Sequence, residues 1–205
     1  VKCIYISAQA DSASVILGTK VPVMIAGGSF NSDQHRTVLR REDKAFLDNL
    51  LAQADPDRVF FVVGHTLSGQ EGYLARQARG RFQVFAIVPG LITPAELARL
   101  RRSGAGMILS IESSGMGLYK SFAYEIFKRM PSVLLAFDGN SAALNLIQEA
   151  RNGRQKCRIF INPHSRGLKS KAALLKGYVD TIRSPEEVLA AVPAPPQPGD
   201  TGKGR

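Results

Sequence analysis

From Val21 onward the chain repeats one unit: an apolar run of strand length that ends in a short Gly- or Ser-rich turn and leads into a segment with helical periodicity. The turns are Gly27-Gly28-Ser29 after Val21–Ala26, Gly64-His65-Thr66-Leu67-Ser68-Gly69 after residues 59–63, Ser113-Ser114-Gly115 after residues 107–112, and Asp138-Gly139-Asn140-Ser141 after residues 132–137. Apolar runs without polar alternation predict strands buried on both faces, and strands that alternate with helices require parallel pairing through crossovers. The pattern therefore predicts a Rossmann-like three-layer α/β/α sandwich with a mostly parallel sheet. Strand ends that share a direction share an edge, so the four turns meet on one rim. Small residues there let backbone N–H groups and helix N-termini approach an anion, which outlines a nucleotide or phosphate pocket.

Further elements complete the layout. Arg41–Gln53 places Phe46, Leu47, Leu50 and Leu51 at helical spacing, and Gly69–Gln77 reads as a helix opening on a Gly turn. Residues 83–88 read as a strand, and residues 94–102 as a helix with Thr93 as N-cap and Pro94 at its first position. Residues 158–161 and 178–182 read as the last strands, and residues 119–128, 141–151, 169–175 and 185–191 as helices.

Ahead of the repeat, residues 1–20 read as an N-terminal edge strand over residues 2–7 with a hairpin partner at residues 15–17. Residues 21–192 read as one domain, expected to carry the nucleotide pocket, and residues 193–205, rich in Pro and Gly, read as a disordered tail or linker. The chain of 205 residues is long enough for one well-buried domain. Its first residue is Val, which leaves open a further domain before it. No apolar stretch approaches a membrane span and residues 1–20 lack a signal-peptide layout, so a cytoplasmic protein without membrane contact is expected. Cys3 and Cys157 sit in strand-like surroundings without a CxxC or Cys/His cluster, which predicts reduced buried thiols; neither a metal nor a cofactor is expected.

The net charge of +10 invites an anionic partner. Its carriers fall into four groups: Arg36, Arg40, Arg41 and Lys44; Arg76, Arg79 and Arg81; Arg99, Arg101 and Arg102; and Arg151, Arg154, Lys156 and Arg158. Several fall at predicted helix ends, where cations complement the dipole, so solvated helix termini and nucleic-acid contact both account for them.

Among the turns, Gly27-Gly28-Ser29 is half a dinucleotide fingerprint, with no GxGxxG and no Walker GxxxxGK[ST] in the chain. The segment from Gly64 to Glu71 is more specific: two glycines bracket His65, Thr66 and Ser68, and Glu71 opens a helix, where a carboxylate either stabilises the helix or meets a ligand hydroxyl. Asp138 ends a strand where it can position a ribose or act as an acid or base, and Asn140 and Ser141 can cap the next helix while presenting donors. Asn145 stands one turn from Ser141, and Gln148 and Glu149 read as solvent face. Tyr119 and Lys120, after the Ser113-Ser114-Gly115 turn, suit base stacking and a phosphate contact as well as plain loop roles.

Taken together, Gly27-Gly28-Ser29, the Val63 to Glu71 segment, the strand at residues 85–89 and Asp138-Gly139-Asn140-Ser141-Ala142-Ala143 resemble the SLOG superfamily of Rossmann-like nucleotide-binding domains. That superfamily includes the Lonely-guy nucleotide hydrolases and the DNA-processing protein A family. The resemblance spans residues 21–192 and rests on element order more than on any motif. Where the hydrolases carry PGGxGTxxE, this chain reads Phe137-Asp138-Gly139-Asn140-Ser141-Ala142-Ala143-Leu144-Asn145, without the second Gly-Thr pair or the Glu. The Phe-x-x-Arg-Asn-Arg signature of the DNA-processing family is also absent.

The resemblance implies a sensor or regulatory domain for a nucleotide or nucleotide-derived ligand. Its pocket would comprise Gly27, Gly28, Ser29, Gly64, His65, Thr66, Ser68, Gly69, Gly139, Asn140 and Ser141, with backbone N–H groups taking phosphate and Glu71 or Asp138 taking a ribose hydroxyl. Two alternatives stand beside it. One is an N-glycosidic nucleotide hydrolase with Glu71 and Asp138 as its catalytic acids; the other is a single-stranded DNA-binding protein of the DNA-processing type. A homodimer is the further assembly that the apolar helix at residues 119–127 allows.

Overall fold

The computed structural model describes residues 3–6, 19–27, 39–88, 92–110, 130–138, 141–152, 157–162, 165, 168, 180–182 and 184–193. Among the described residues eight strands form one sheet: β1 (Cys3–Ile6), β2 (Val21–Ala26), β3 (Val59–Gly64), β4 (Val84–Val88), β5 (Gly106–Ser110), β6 (Ser132–Ala136), β7 (Cys157–Ile161) and β8 (Asp180–Thr181). Their order is β1-β5-β4-β3-β2-β6-β7-β8, and every pairing is parallel. The helices are α1 (Arg41–Gln53), α2 (Gly69–Gln77), α3 (Pro94–Ser103), α4 (Ser141–Asn152) and α5 (Pro185–Ala190). The architecture is the α/β Rossmann-like sandwich, and within it β4-β3-β2-β6-β7-β8 run in the 3-2-1-4-5-6 order of a doubly wound sheet, with β5 and β1 added at the β4 edge.

The strands alternate between two cores. Val21, Val23 and Ile25 of β2 face one side with Phe61, Val63, Ala86, Val133 and Leu135, where Leu47, Leu50 and Leu51 of α1, Leu74 of α2, Leu100 of α3 and Val188 of α5 cover them. Met24 and Ala26 face the other with Phe60, Val62, Ile87 and Leu134, covered by Ala143, Leu146, Ile147 and Ala150 of α4. Period-2 alternation of apolar residues on both faces is why the sequence shows no polar alternation. Each leucine buried this fully contributes about 1.5–3 kcal/mol. Pro22 is tolerated in the central strand because pairing with β6 begins only at Val23, so its missing N–H precedes that ladder.

The order in which strands are added reverses at β2. The chain proceeds outward through β3, β4 and β5, then returns to lay β6 against the other side of β2 and continues outward through β7 and β8. The C-terminal ends of β2 and β6, at Gly27 and Asp138, therefore flank the topological switch point, where open parallel sheets bind their ligands.

Most predicted elements appear with their boundaries within a residue or two, and α3 has the expected start. Thr93 Oγ1 accepts from the Glu96 N–H at 3.3 Å, Glu96 Oε2 accepts from the Thr93 N–H at 3.0 Å, and the helix ends on Gly104 at φ 78°. Of the strand expected over residues 178–182, Asp180–Thr181 is strand and Ile182 follows it, while residues 178–179 lie outside the described residues. Among the described strands β1 lies at one end of the sheet, paired with β5. Its expected hairpin partner at residues 15–17, the helices at residues 119–128 and 169–175, and the tail from residue 194 lie outside the described residues.

One arginine binds helix-end carbonyls and others stand near helix ends. Arg81 donates to the Ala52 and Ala54 carbonyls at the end of α1, at 3.4 and 3.5 Å, while Arg76, Arg101, Arg102 and Arg151 occupy last turns. Cys157 is buried in β7, and burial pushes its thiol up to about 12, which makes it an inert packing residue at neutral pH. No described helix is long and apolar enough to cross a membrane.

Candidate functional site

Glu71 stands in the first turn of α2 with no solvent exposure. Its carboxylate turns inward under the rim: Oε1 accepts from the Gly27 N–H at 3.1 Å and Oε2 from the Gly64 N–H at 2.8 Å. The amides at the C-terminal ends of β2 and β3 are thus spent on an internal carboxylate. This corrects the expectation that these N–H groups face a bound phosphate, because Glu71 already supplies the negative charge that such a nest attracts. Two charge-assisted bonds to backbone are what make the buried carboxylate tolerable.

Beside it lies a second buried polar cluster. Asp43 of α1 is 6% exposed, and its two oxygens accept from Gln70 Nε2 at 2.8 Å and from Asn162 Nδ2 at 3.0 Å. This links the first turns of α1 and α2 to the end of β7. The Gln70 amide is oriented by its neighbour, since only its NH2 can donate to a carboxylate. Its Oε1 is left buried without a hydrogen-bond partner, 3.0 Å from the point where a Cβ on Gly27 would stand. An unmet buried acceptor costs about 1–3 kcal/mol.

Across the switch point Asp138 is half-buried, one residue past Phe137. Its Oδ1 accepts from the Ser165 hydroxyl at 2.8 Å, and the same hydroxyl accepts from the Leu168 N–H at 3.2 Å. Ser165 is 1% exposed and is itself placed by its N–H to the Asn162 carbonyl at 3.1 Å. The loop after β7 therefore sets the rotamer of an acid that follows β6.

The loop from Gly64 to Gly69 winds tightly onto α2. Leu67 and Gly69 both have positive φ, 50° and 53°. A Cβ on Gly72 would stand 2.0 Å from the Leu67 carbonyl oxygen, so the helix admits only glycine where the loop folds back on it. Thr66 Oγ1 and Ser68 Oγ lie 3.3 Å apart, and Ser68, at the N-cap position, makes no side-chain cap. His65 Nε2 is 3.7 Å from Glu96 Oε1, and its carbonyl accepts from Arg99 at 3.4 Å. Burial is the main cause that lowers the His65 pKa; the Glu96 carboxylate opposes this and Arg99 adds to it.

The structure thus brings Gly27, Gly64, His65, Thr66, Ser68, Gly69, Glu71 and Asp138 to one rim, as the turn pattern predicts. Gly28, Ser29, Gly139 and Asn140 lie outside the described residues, and of Ser141 only its place at the start of α4 is described. Sequence reasoning missed Asp43, Gln70, Asn162 and Ser165. No local signal marks them, because each is an ordinary polar residue at a helix start or after a strand. Among the described residues no group of three or more His, Cys, Asp or Glu is placed to hold a metal ion.

No family model and no curated protein matches the chain. Solved structures similar in fold include the following two. DNA processing protein A from Helicobacter pylori, which has a single-stranded DNA binding mode of its own, aligns at a TM-score of 0.60 and 15% identity, covering 86% of this chain and 82% of that one. The Moco carrier protein from Chlamydomonas reinhardtii aligns at a TM-score of 0.52 and 13% identity, covering 84% of this chain and 95% of that one. At such identity the likeness establishes the Rossmann-like fold.

Proposed function

We propose that the rim at the β2–β6 switch point binds a nucleotide or nucleotide-derived ligand, as a sensor or regulatory domain of the SLOG type. The observation that carries this reading is Asp138, a half-buried carboxylate with its rotamer held by Ser165, beside the glycine end of β2 at the place where doubly wound sheets take their ligands. Asp138 suits a ribose hydroxyl, an uncharged donor. The negative end of the ligand belongs at the loop from residue 65 to residue 69, where Thr66 and Ser68 bring two hydroxyls to the start of α2. It does not belong at Gly27 N or Gly64 N, which Glu71 holds.

Cleavage of an N-glycosidic bond is less well supported, because the Glu71 carboxylate is enclosed and bonded to backbone, a positioning role rather than a reactive one. Single-stranded DNA binding keeps one specific observation in its favour. Arg99 bonds the rim at the His65 carbonyl, and Arg101 and Arg102 stand exposed farther along the same helix. Likeness of fold to DNA processing protein A, a single-stranded DNA binder, supports the same reading.

A thermal-shift screen against mono-, di- and cyclic nucleotides, NAD, ADP-ribose derivatives and a short single-stranded DNA, at low and physiological salt, separates the readings. A shift with one small nucleotide that survives salt is the expected result. A shift with DNA alone, vanishing with salt and with charge reversal at Arg99, Arg101 and Arg102, replaces it with the second reading. No shift with any of these removes both.

A further inference from the structure

We propose that Gln70 is a specificity-determining residue of this rim, its Oε1 accepting a hydrogen bond from a neutral N–H or O–H group of the ligand, either a sugar hydroxyl or a base amino group. The inference rests on the nucleotide reading above and names the part of the ligand that the β2 end recognises. Three observations meet at one atom. Gln70 is 1% exposed, and its oxygen has no partner where nearly all buried acceptors have one. The amide cannot turn to relieve this, because rotation would set its oxygen against the Asp43 carboxylate and strand the donor that now bonds Asp43 at 2.8 Å. Asp43 is held in turn by Asn162 at the end of β7, so the acceptor is aimed by residues from three elements.

The oxygen also lies at the C-terminal end of β2, beside the switch point. It stands over Gly27, the residue that follows β2, and a Cβ there would lie 3.0 Å from it and 3.2 Å from Phe137 Cβ. Glycine at this position keeps carbon away from the oxygen. A phosphate monoester is mostly dianionic at neutral pH, so its oxygens are chiefly acceptors and match this acceptor poorly. With Glu71, Asp43 and Asp138 nearby, the β2 end of the rim is also hostile to an anion. What fits is an uncharged donor, and a nucleotide carries such donors on its ribose and on its base. A site built around a buried acceptor rejects a ligand that lacks the matching donor far more strongly than an apolar pocket rejects a missing methyl group.

Titration calorimetry on the whole chain tests this with the four ribonucleoside monophosphates, their 2′-deoxy and 3′-deoxy forms, and IMP beside AMP. Wild type, Gln70→Met and Gly27→Ala are compared. Gln70→Met removes the acceptor, and Gly27→Ala leaves the Asp43 pair intact while placing a methyl group against the oxygen. The expected result is that one deletion analogue binds wild type at least about tenfold more weakly than its parent, and that this ratio falls towards one in both variants. Loss confined to a deoxy form identifies a sugar hydroxyl, and loss confined to IMP identifies a base amino group. If the nucleotides bind but the ratio is one in wild type, or is unchanged in a folded variant, the role of Gln70 is overturned while nucleotide binding stands. If nothing in this panel or in the thermal-shift screen above binds wild type, the nucleotide reading falls and this proposal with it; if only a ligand outside the monophosphates binds, and binds Gln70→Met equally well, the role of Gln70 alone is overturned.

Discussion

The carboxylate of Glu71 accepts the backbone N–H of Gly27, 44 residues earlier in the chain, at 3.1 Å, while its second oxygen accepts that of Gly64. One side chain from the first turn of α2 thereby fastens the ends of two neighbouring strands from beneath. The consequence is functional as well as structural, since the amides that a turn pattern assigns to a ligand are occupied from inside.

Replacing Glu71 by Gln keeps the shape but sets an amide NH2 against one of the two backbone N–H groups. Loss of a charged acceptor and one stranded donor should cost about 2–3 kcal/mol. A urea unfolding curve checks this, and an unchanged midpoint would mean that the carboxylate contributes nothing net.

Asp138→Asn should behave in the opposite way. The amide oxygen still accepts from Ser165, so stability should move by no more than about 0.5 kcal/mol. Affinity for a ribonucleotide should fall about tenfold, the worth of a charged acceptor on a hydroxyl. Equal affinity of the two proteins would remove Asp138 from the site.

Gly72 and Gly80 separate steric from conformational need. Gly72→Ala drives a methyl group into the Leu67 carbonyl, 2.0 Å away, and should cost about 3 kcal/mol or more while unwinding the loop from Gly64 to Gly69. Gly80→Ala has open space but a φ of +80°, and should cost about 1–2 kcal/mol. Thermal melts of the two variants rank them, and an equal loss would contradict the geometry.

His65 predicts a pH dependence. Its pKa in the folded protein is lowered chiefly by burial, so the unfolded chain binds its proton more readily than the native state does. The protein should therefore lose stability as pH falls through the ordinary histidine value of 6.5 towards the lower native value. Glu96 acts at lower pH: its pKa is lowered mainly by its hydrogen bonds to Thr93, so its stabilisation is present above 4.5 and lost as pH falls further. His65→Gln should flatten the upper part of the stability profile and leave the lower part. Denaturation midpoints measured from pH 7.5 to 4 settle the matter, with parallel profiles counting against it.

Much of the scaffold was legible from local pattern. Val21–Ala26, Arg41–Gln53 and Gly69–Gln77 have in the structure the bounds that their periodicity predicts, because hydrophobic spacing is a property of neighbours in the chain. The cap at Thr93 and Pro94 is equally local and equally visible. The rim itself follows from parallel pairing, and that follows from alternating strands and helices.

The direction in which Glu71 points was not legible. A first-turn glutamate looks the same in sequence whether it faces solvent, a ligand or the backbone of another strand. The choice depends on β2 lying next to β3, which places Gly27 within its reach. Asp43, Gln70 and Asn162 pose the same problem at longer range: 27 residues separate Asp43 from Gln70 and 119 separate it from Asn162. Asn162 reaches Asp43 only because the strand order returns β6 and β7 to the far side of β2.

By itself, then, the sequence determined what neighbouring residues decide: which stretches are strands, which are helices, where they start and stop, and that the strands run parallel. Tertiary structure alone decided which polar side chains became internal supports and which acceptors were left unmet. A hydrogen bond between distant residues depends on the order in which strands assemble, and no local period in the chain records that order.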